Sequence, residues 1–185
     1  QAALLAAKEK ALERLRQVID ISALPDVAIE FQAVDAYWQN WITGNYHDGF
    51  RLIVNTHPRV GIYRGEPELL AYHEIGAHAL QMSTWLQRIK AGELPLAYGL
   101  TTVHWPYQFV MEGLAQSITD ILFDAASLSL DLLRARELQR YRFGVYNNAH
   151  VHINRGESVE TVIAYVLANL PFESLSTVEA EMRDR

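Results

Sequence analysis

The chain has 185 residues, 50% of them hydrophobic and 21% charged, which is the composition of a packed domain and not of a disordered segment. A formal net charge of −6 gives no electrostatic reason to expect a nucleic-acid partner. The absence of cysteine excludes disulfides and thiolate metal sites together, and no apolar run approaches the ~18 residues that a membrane-spanning helix requires.

One domain over residues 1–185 is expected, long enough to bury a core. The chain starts at Gln1, and Gln1 to Asp20 lacks the basic-then-apolar order of a signal peptide, so a processed form or a segment of a longer protein is expected. The expectation is a soluble protein; its compartment stays open, with the cytoplasm preferred over export.

In chain order, Leu4, Leu5, Ala11, Leu12, Leu15, Val18 and Ile19 recur at helical spacing and predict an amphipathic helix ending before Pro25. Val27, Ile29, Phe31 and Ala33 then alternate with polar residues as in a half-buried strand, and Phe50 to Asn55 read as a second strand. Two such runs separated by turn residues predict a small antiparallel sheet. The segment between them is aromatic, with Tyr37, Trp38, Trp41 and Tyr46 suited either to core packing or to a pocket. His47 and His57 flank the second strand and read as surface residues.

Glu66, Pro67 and Glu68 at one end, and Lys90, Gly92 and Pro95 at the other, frame a helix from about Pro67 to Ala91. It contains His73-Glu74-Ile75-Gly76-Ala77-His78. Neutral imidazoles are the commonest protein ligands of catalytic zinc, and a glutamate beside the first is suited to deprotonate metal-bound water. Histidines five apart diverge by about 140° on a regular α-helix, so both can reach one metal only across a π-type turn. A bulge or break between His73 and His78 is therefore predicted, with Gly76 supplying a deformable backbone.

A further helix is predicted from Tyr107 to about Ala126, and it carries Glu112 among apolar neighbours. A buried carboxylate needs a partner, either a divalent cation or an arginine or backbone group elsewhere. Helical periodicity continues from Leu128 towards Tyr146, and a last helix is predicted from a Ser158 cap to about Leu170. The fold class is α+β, mostly α-helical, with a small sheet.

The pair His73-Glu74-Ile75-Gly76-Ala77-His78 and Glu112-Gly113-Leu114-Ala115 resembles the HExxxH gluzincin metallopeptidases typified by the microtubule-associated tyrosine carboxypeptidase family. It is also similar to a bacterial group of helical metallopeptidases with HExxPGHHLQ and EGWA motifs; Leu80-Gln81 agree with that group, while its Pro-Gly and second adjacent histidine are missing. The resemblance implies a zincin-like metal helix, one zinc ion held by His73, His78 and Glu112, and Glu74 as general base. It further implies a peptide or protein substrate and a carboxypeptidase activity. Where thermolysin-like gluzincins place an aspartate four residues after the ligand glutamate, this chain has Gln116, which leaves Asp120 or Thr119 to orient a ligand histidine.

The stretch from Arg140 to His152 resembles the cleft-lining part of the bacterial group. His150 and His152 alternate as in an extended segment facing one side. Either histidine, with Tyr146 or Arg142, is a candidate donor to an oxyanion or to a substrate carboxylate; a structural histidine is the alternative. Arg142 is the candidate clamp for a terminal carboxylate, and His104 is a further candidate from the loop between the motif helices. Against the peptidase stand two other readings, a zinc-binding or protein-interaction module without turnover, and a structural helical domain.

Overall fold

A computed structural model describes residues 1–36, 38–45, 49–58, 60–99 and 106–183. Tyr37, Tyr46, His47 and His104 lie outside the described residues. Helix α1 (Ala2–Arg16) buries Leu4, Ala11, Leu12 and Leu15, the stripe that its sequence periodicity predicts. Strands β1 (Val27–Gln32), β2 (Asn40–Asn45) and β3 (Gly49–Asn55) follow, and then a long composite helix. That helix begins as α2 (Glu66–Leu70), passes through a π-helical segment (Ala71–Ala79) and continues as α3 (Leu80–Lys90). Helices α4 (Gln108–Leu122), α5 (Leu130–Asn154), α6 (Val159–Asn169) and α7 (Leu175–Arg183) complete the chain.

The sheet is mixed, not antiparallel. Its order is β1-β3-β2; β1 runs parallel to β3, with Val27 opposite Phe50, and β2 runs antiparallel to β3, with Asn40 opposite Val54. The two strands expected to pair antiparallel do pair, but the chain inserts β2 between them in sequence. It crosses to the far edge and returns through β3, which makes β1 and β3 parallel. Strand β2 is concealed in the sequence because its strand formers, Trp41, Ile42 and Thr43, make a run of just three residues between the turn residues Asn40, Gly44 and Asn45.

Asn55, fully buried, organises the crossover. Its Oδ1 accepts from the Val34 and His57 N–H groups at 3.1 and 3.0 Å, and its Nδ2 donates to the Val34 and Trp38 carbonyls at 2.9 and 3.0 Å. This side chain satisfies backbone groups that no ladder reaches, and it fixes the path into β2.

Two apolar clusters support the fold. The larger joins α1, the sheet and the composite helix to the start of α5 through Leu15, Leu52, Tyr72, Ile75 and Leu132. The smaller joins the end of α5 to α6 and α7 through Val145, Ala149, Val162, Val166 and Val178. The Ser158 cap is present, accepting from the Thr161 N–H at 3.2 Å. Among the described residues no helix is long and apolar enough to cross a membrane.

Two glycines allow close approaches that set the position of the composite helix. Gly65, at φ +84°, precedes α2 where a Cβ would lie 2.0 Å from the Asp131 carbonyl oxygen of α5. Gly76 lies where a Cβ would come within 2.7 Å of Leu15 Cδ1. Its role is thus a packing one as well as the backbone freedom expected from sequence: α1 presses directly against the π-helical segment.

Candidate metal centre

The π-helical segment spans both histidines, so the break predicted from their five-residue spacing is present and extends over Ala71–Ala79. Widening the helical turn returns residues five apart to one face. The His73 and His78 rings meet edge to face with centroids 4.8 Å apart. Helix α4 brings Glu112 to them, its Oε2 3.4 Å from His73 Nε2 and its Oε1 3.2 Å from His78 Nε2.

One ligand atom from each of His73, His78 and Glu112 falls within 4.8 Å of the others, so the group can hold a metal ion. For ligands at ~2.0–2.1 Å in a tetrahedral arrangement, neighbouring donor atoms stand roughly 3.4 Å apart. The two histidine–glutamate separations are of that size but run to different oxygens of Glu112, so one oxygen would have to turn towards both imidazoles; two imidazoles with one carboxylate are a donor set suited to zinc.

Electrostatics separates the two glutamates. Burial pushes the Glu112 carboxyl up, but the hydrogen bonds and positive charge of His73 and His78 outweigh it and hold the group well below the ordinary carboxylate range. Burial also pushes Glu74 up, and there it prevails over the opposing influence of His73 and His78, leaving the carboxyl above its ordinary value. Burial pulls the His78 imidazole down, yet the Glu112 hydrogen bond and charge leave it above its ordinary value. One carboxylate is therefore secured as an anion while the other is poised to take a proton.

Two residues that sequence reasoning missed position these glutamates. Asn40, at the start of edge strand β2, donates from Nδ2 to Glu74 Oε1 at 2.6 Å. Gln108 donates from Nε2 to Glu112 Oε1 at 2.7 Å. Gln108 lies one helical turn before Glu112, a spacing that could have exposed it. Asn40 comes from a different element, and no local pattern marks it.

The remaining expected site residues are dispersed. Asp120 receives hydrogen bonds from Arg136 and Arg140, and the buried Thr119 hydroxyl has no partner among the described residues. Neither supplies an acceptor to His73, whose buried Nδ1 likewise has no hydrogen-bond partner among the described residues.

The extended segment expected around His150 and His152 is helical, because the apolar periodicity of α5 continues through it to Asn154. Two residues apart on a helix, the histidines diverge by about 200° and face different sides. His152 Nδ1 lies 2.6 Å from Glu157 Oε1, and its ring packs on Tyr165. Tyr146 is buried in the smaller apolar cluster.

Two spaces border the metal centre. A groove of about 430 Å³ runs along Asn40 to Gly44 of β2 and is faced by His73, His78, Gln108 and Glu112. A cavity of about 320 Å³ reaches from His73, Glu74 and Glu112 to Arg142. Arg142 is the expected cleft residue that lines this cavity; Tyr146, His150 and His152 do not line either space. No family model, curated protein or solved structure matches the chain.

Proposed function

We propose that the chain is a zinc-dependent peptidase with a zincin-like arrangement, in which His73, His78 and Glu112 hold the metal and Glu74 is the general base. The observation that carries the reading is the convergence of two histidines and a glutamate from separate helices, beside a second glutamate in a different electrostatic state. The sequence resemblance to HExxxH gluzincins, carried by the same residues, agrees with it. When bound, zinc supplies Lewis acidity, lowering the pKa of a coordinated water towards ~7 and polarising a substrate carbonyl.

The chain's own residues perform the rest. Glu74 accepts the proton of the attacking water and returns it to the leaving amine. Asn40 holds the Glu74 carboxylate by its Oε1, which directs the other oxygen to this task. Gln108 fixes Glu112 in its ligand orientation. As an edge strand running along the groove, β2 is suited to pairing with an extended peptide.

The carboxypeptidase form of the proposal needs a cation for the terminal carboxylate. Arg142 lines the cavity, but its Nε donates to Glu173 Oε1 at 2.5 Å, so it serves as a clamp only if a substrate displaces that partner. The peptidase is tested with Glu74→Gln: zinc content should be retained while peptide hydrolysis falls by about 10²–10⁴-fold. Undiminished hydrolysis would remove the assignment.

Among the described residues His73 Nδ1 has no acceptor, which favours a second reading, a zinc-binding module without turnover, since ligand histidines in active centres usually donate to one. A zinc-loaded chain that cleaves no member of a diverse peptide library would support it.

A further inference from the structure

The cavity beside the candidate metal centre has walls that are largely apolar, with Phe31, Val54, Leu70, Leu138 and Phe143 among them, and it is lined by two further charged side chains, Glu66 and Arg142. Glu66 lies seven residues before His73 on the composite helix, about 10 Å along its axis, and with Arg142 it borders both this cavity and the space lined by Glu173 and Glu181. These two residues therefore mark the end remote from the metal.

That end carries an excess of negative charge. Among the described residues lining the cavity, Arg142 is the side chain with a fixed positive charge. It is engaged by Glu173 at 2.5 Å and faces Glu181 at 3.9 Å. Glu66 Oε2 accepts the Tyr63 N–H at 2.6 Å, and burial pushes its carboxyl above the ordinary range despite that bond, a side-chain hydrogen bond from Gln39 and the charge of Arg142. The guanidinium is thus shared between Glu173 and Glu181, and Glu66 is a third carboxylate with no ion pair among the described residues.

We propose that this cavity is a specificity pocket for a lysine or arginine side chain of the substrate, with the aliphatic stem against the apolar walls and the cationic end at Glu66. The inference rests on the peptidase reading of the adjoining centre. Three occupants compete, and the charges decide among them. A substrate carboxylate meets Glu66 and is repelled, while the one guanidinium of the wall is already engaged by Glu173. A neutral apolar side chain strips water from Glu66 and offers nothing in return, which is unfavourable for a buried charge. A long side chain with a positive end buries its methylenes and neutralises the carboxylate together.

The test uses the zinc-loaded chain and matched peptides in which the residue on either side of the cleaved bond is lysine, arginine, norleucine or glutamate. The expected result is a kcat/KM for lysine or arginine roughly tenfold or more above that for norleucine, with glutamate lowest. Glu66→Gln, which keeps an acceptor for the Tyr63 N–H, should collapse the lysine-to-norleucine ratio. A second readout needs no turnover: Nα-acetyl-lysinamide should shift NMR resonances of pocket residues in the metal-free chain at lower concentration than Nα-acetyl-norleucinamide, and Glu66→Gln should abolish the difference. Cleavage without preference for the cationic residue, or a preference unchanged by Glu66→Gln, overturns the pocket and leaves the peptidase standing. Selective binding of the lysine probe without any hydrolysis keeps the pocket and removes the peptidase.

Discussion

Asn40 and Glu74 are 34 residues apart in the chain, yet the Asn40 amide donates to the Glu74 carboxylate at 2.6 Å. The contact ties edge strand β2 to the π-helical segment at the proposed general base. Removing it with Asn40→Ala should leave zinc content unchanged and lower kcat by about tenfold, since a mispositioned base loses part of its contribution. Parallel zinc analysis and steady-state kinetics check this; loss of zinc instead would show that Asn40 supports the ligands and not the base.

The approach of α1 to the metal segment makes Gly76 sensitive to added volume. Gly76→Ala would bring a methyl group within 2.7 Å of Leu15 Cδ1 in the core. Overpacking of this kind costs about 1–3 kcal/mol, measurable as a lower denaturant midpoint for the metal-free chain. An unchanged midpoint would mean that Leu15 has room to move.

Asn55→Ala should destabilise the chain by roughly 2–3 kcal/mol, because it leaves buried backbone groups of the crossover unsatisfied. The same variant should reduce turnover, since the crossover leads directly into Asn40. Chemical denaturation combined with kinetics tests both effects.

Zinc-dependent stabilisation should rise with pH. In the metal-free chain Glu112 is held below its ordinary value of 4.5 and His78 above its ordinary value of 6.5. The Glu112 contribution is present above pH 4.5 and lost as pH falls through its lowered value; the His78 contribution is present below pH 6.5 and lost as pH rises through its raised value. The pair thus favours the metal-free fold most between these two values, where zinc must displace a proton from His78. The increase in melting temperature on adding zinc should be small near pH ~5 and larger near pH ~7.5, as thermal unfolding with and without zinc will report.

Much of this centre is legible in the sequence because its principal constraint is local. A five-residue histidine spacing cannot serve one metal on a regular α-helix, so it requires the π-helical segment that is present at Ala71–Ala79. Glu112 stands out as a carboxylate in an apolar stretch. Strand β2 is not legible, because its pairing with β3 depends on a crossover fixed by Asn55 and not on its own composition. Asn40 shares that obscurity. His150 and His152 mislead for the opposite reason: a two-residue alternation suggests extension, whereas the apolar spacing of α5 continues through it. Helix α7 goes unseen because its nine residues contribute just Val178 and Met182 to the buried surface.

His73, His78 and Glu112 are proposed to form one metal site. X-ray absorption at the zinc edge of the zinc-loaded, dialysed chain tests it most directly, with His78→Ala and Glu112→Gln in parallel. The expected result is one tightly held zinc per chain with two imidazole nitrogens and oxygen ligands at ~2.0–2.2 Å, and weakened or lost zinc in both variants. Zinc absent from the dialysed wild-type chain, or retained with unchanged ligation in both variants, would contradict it.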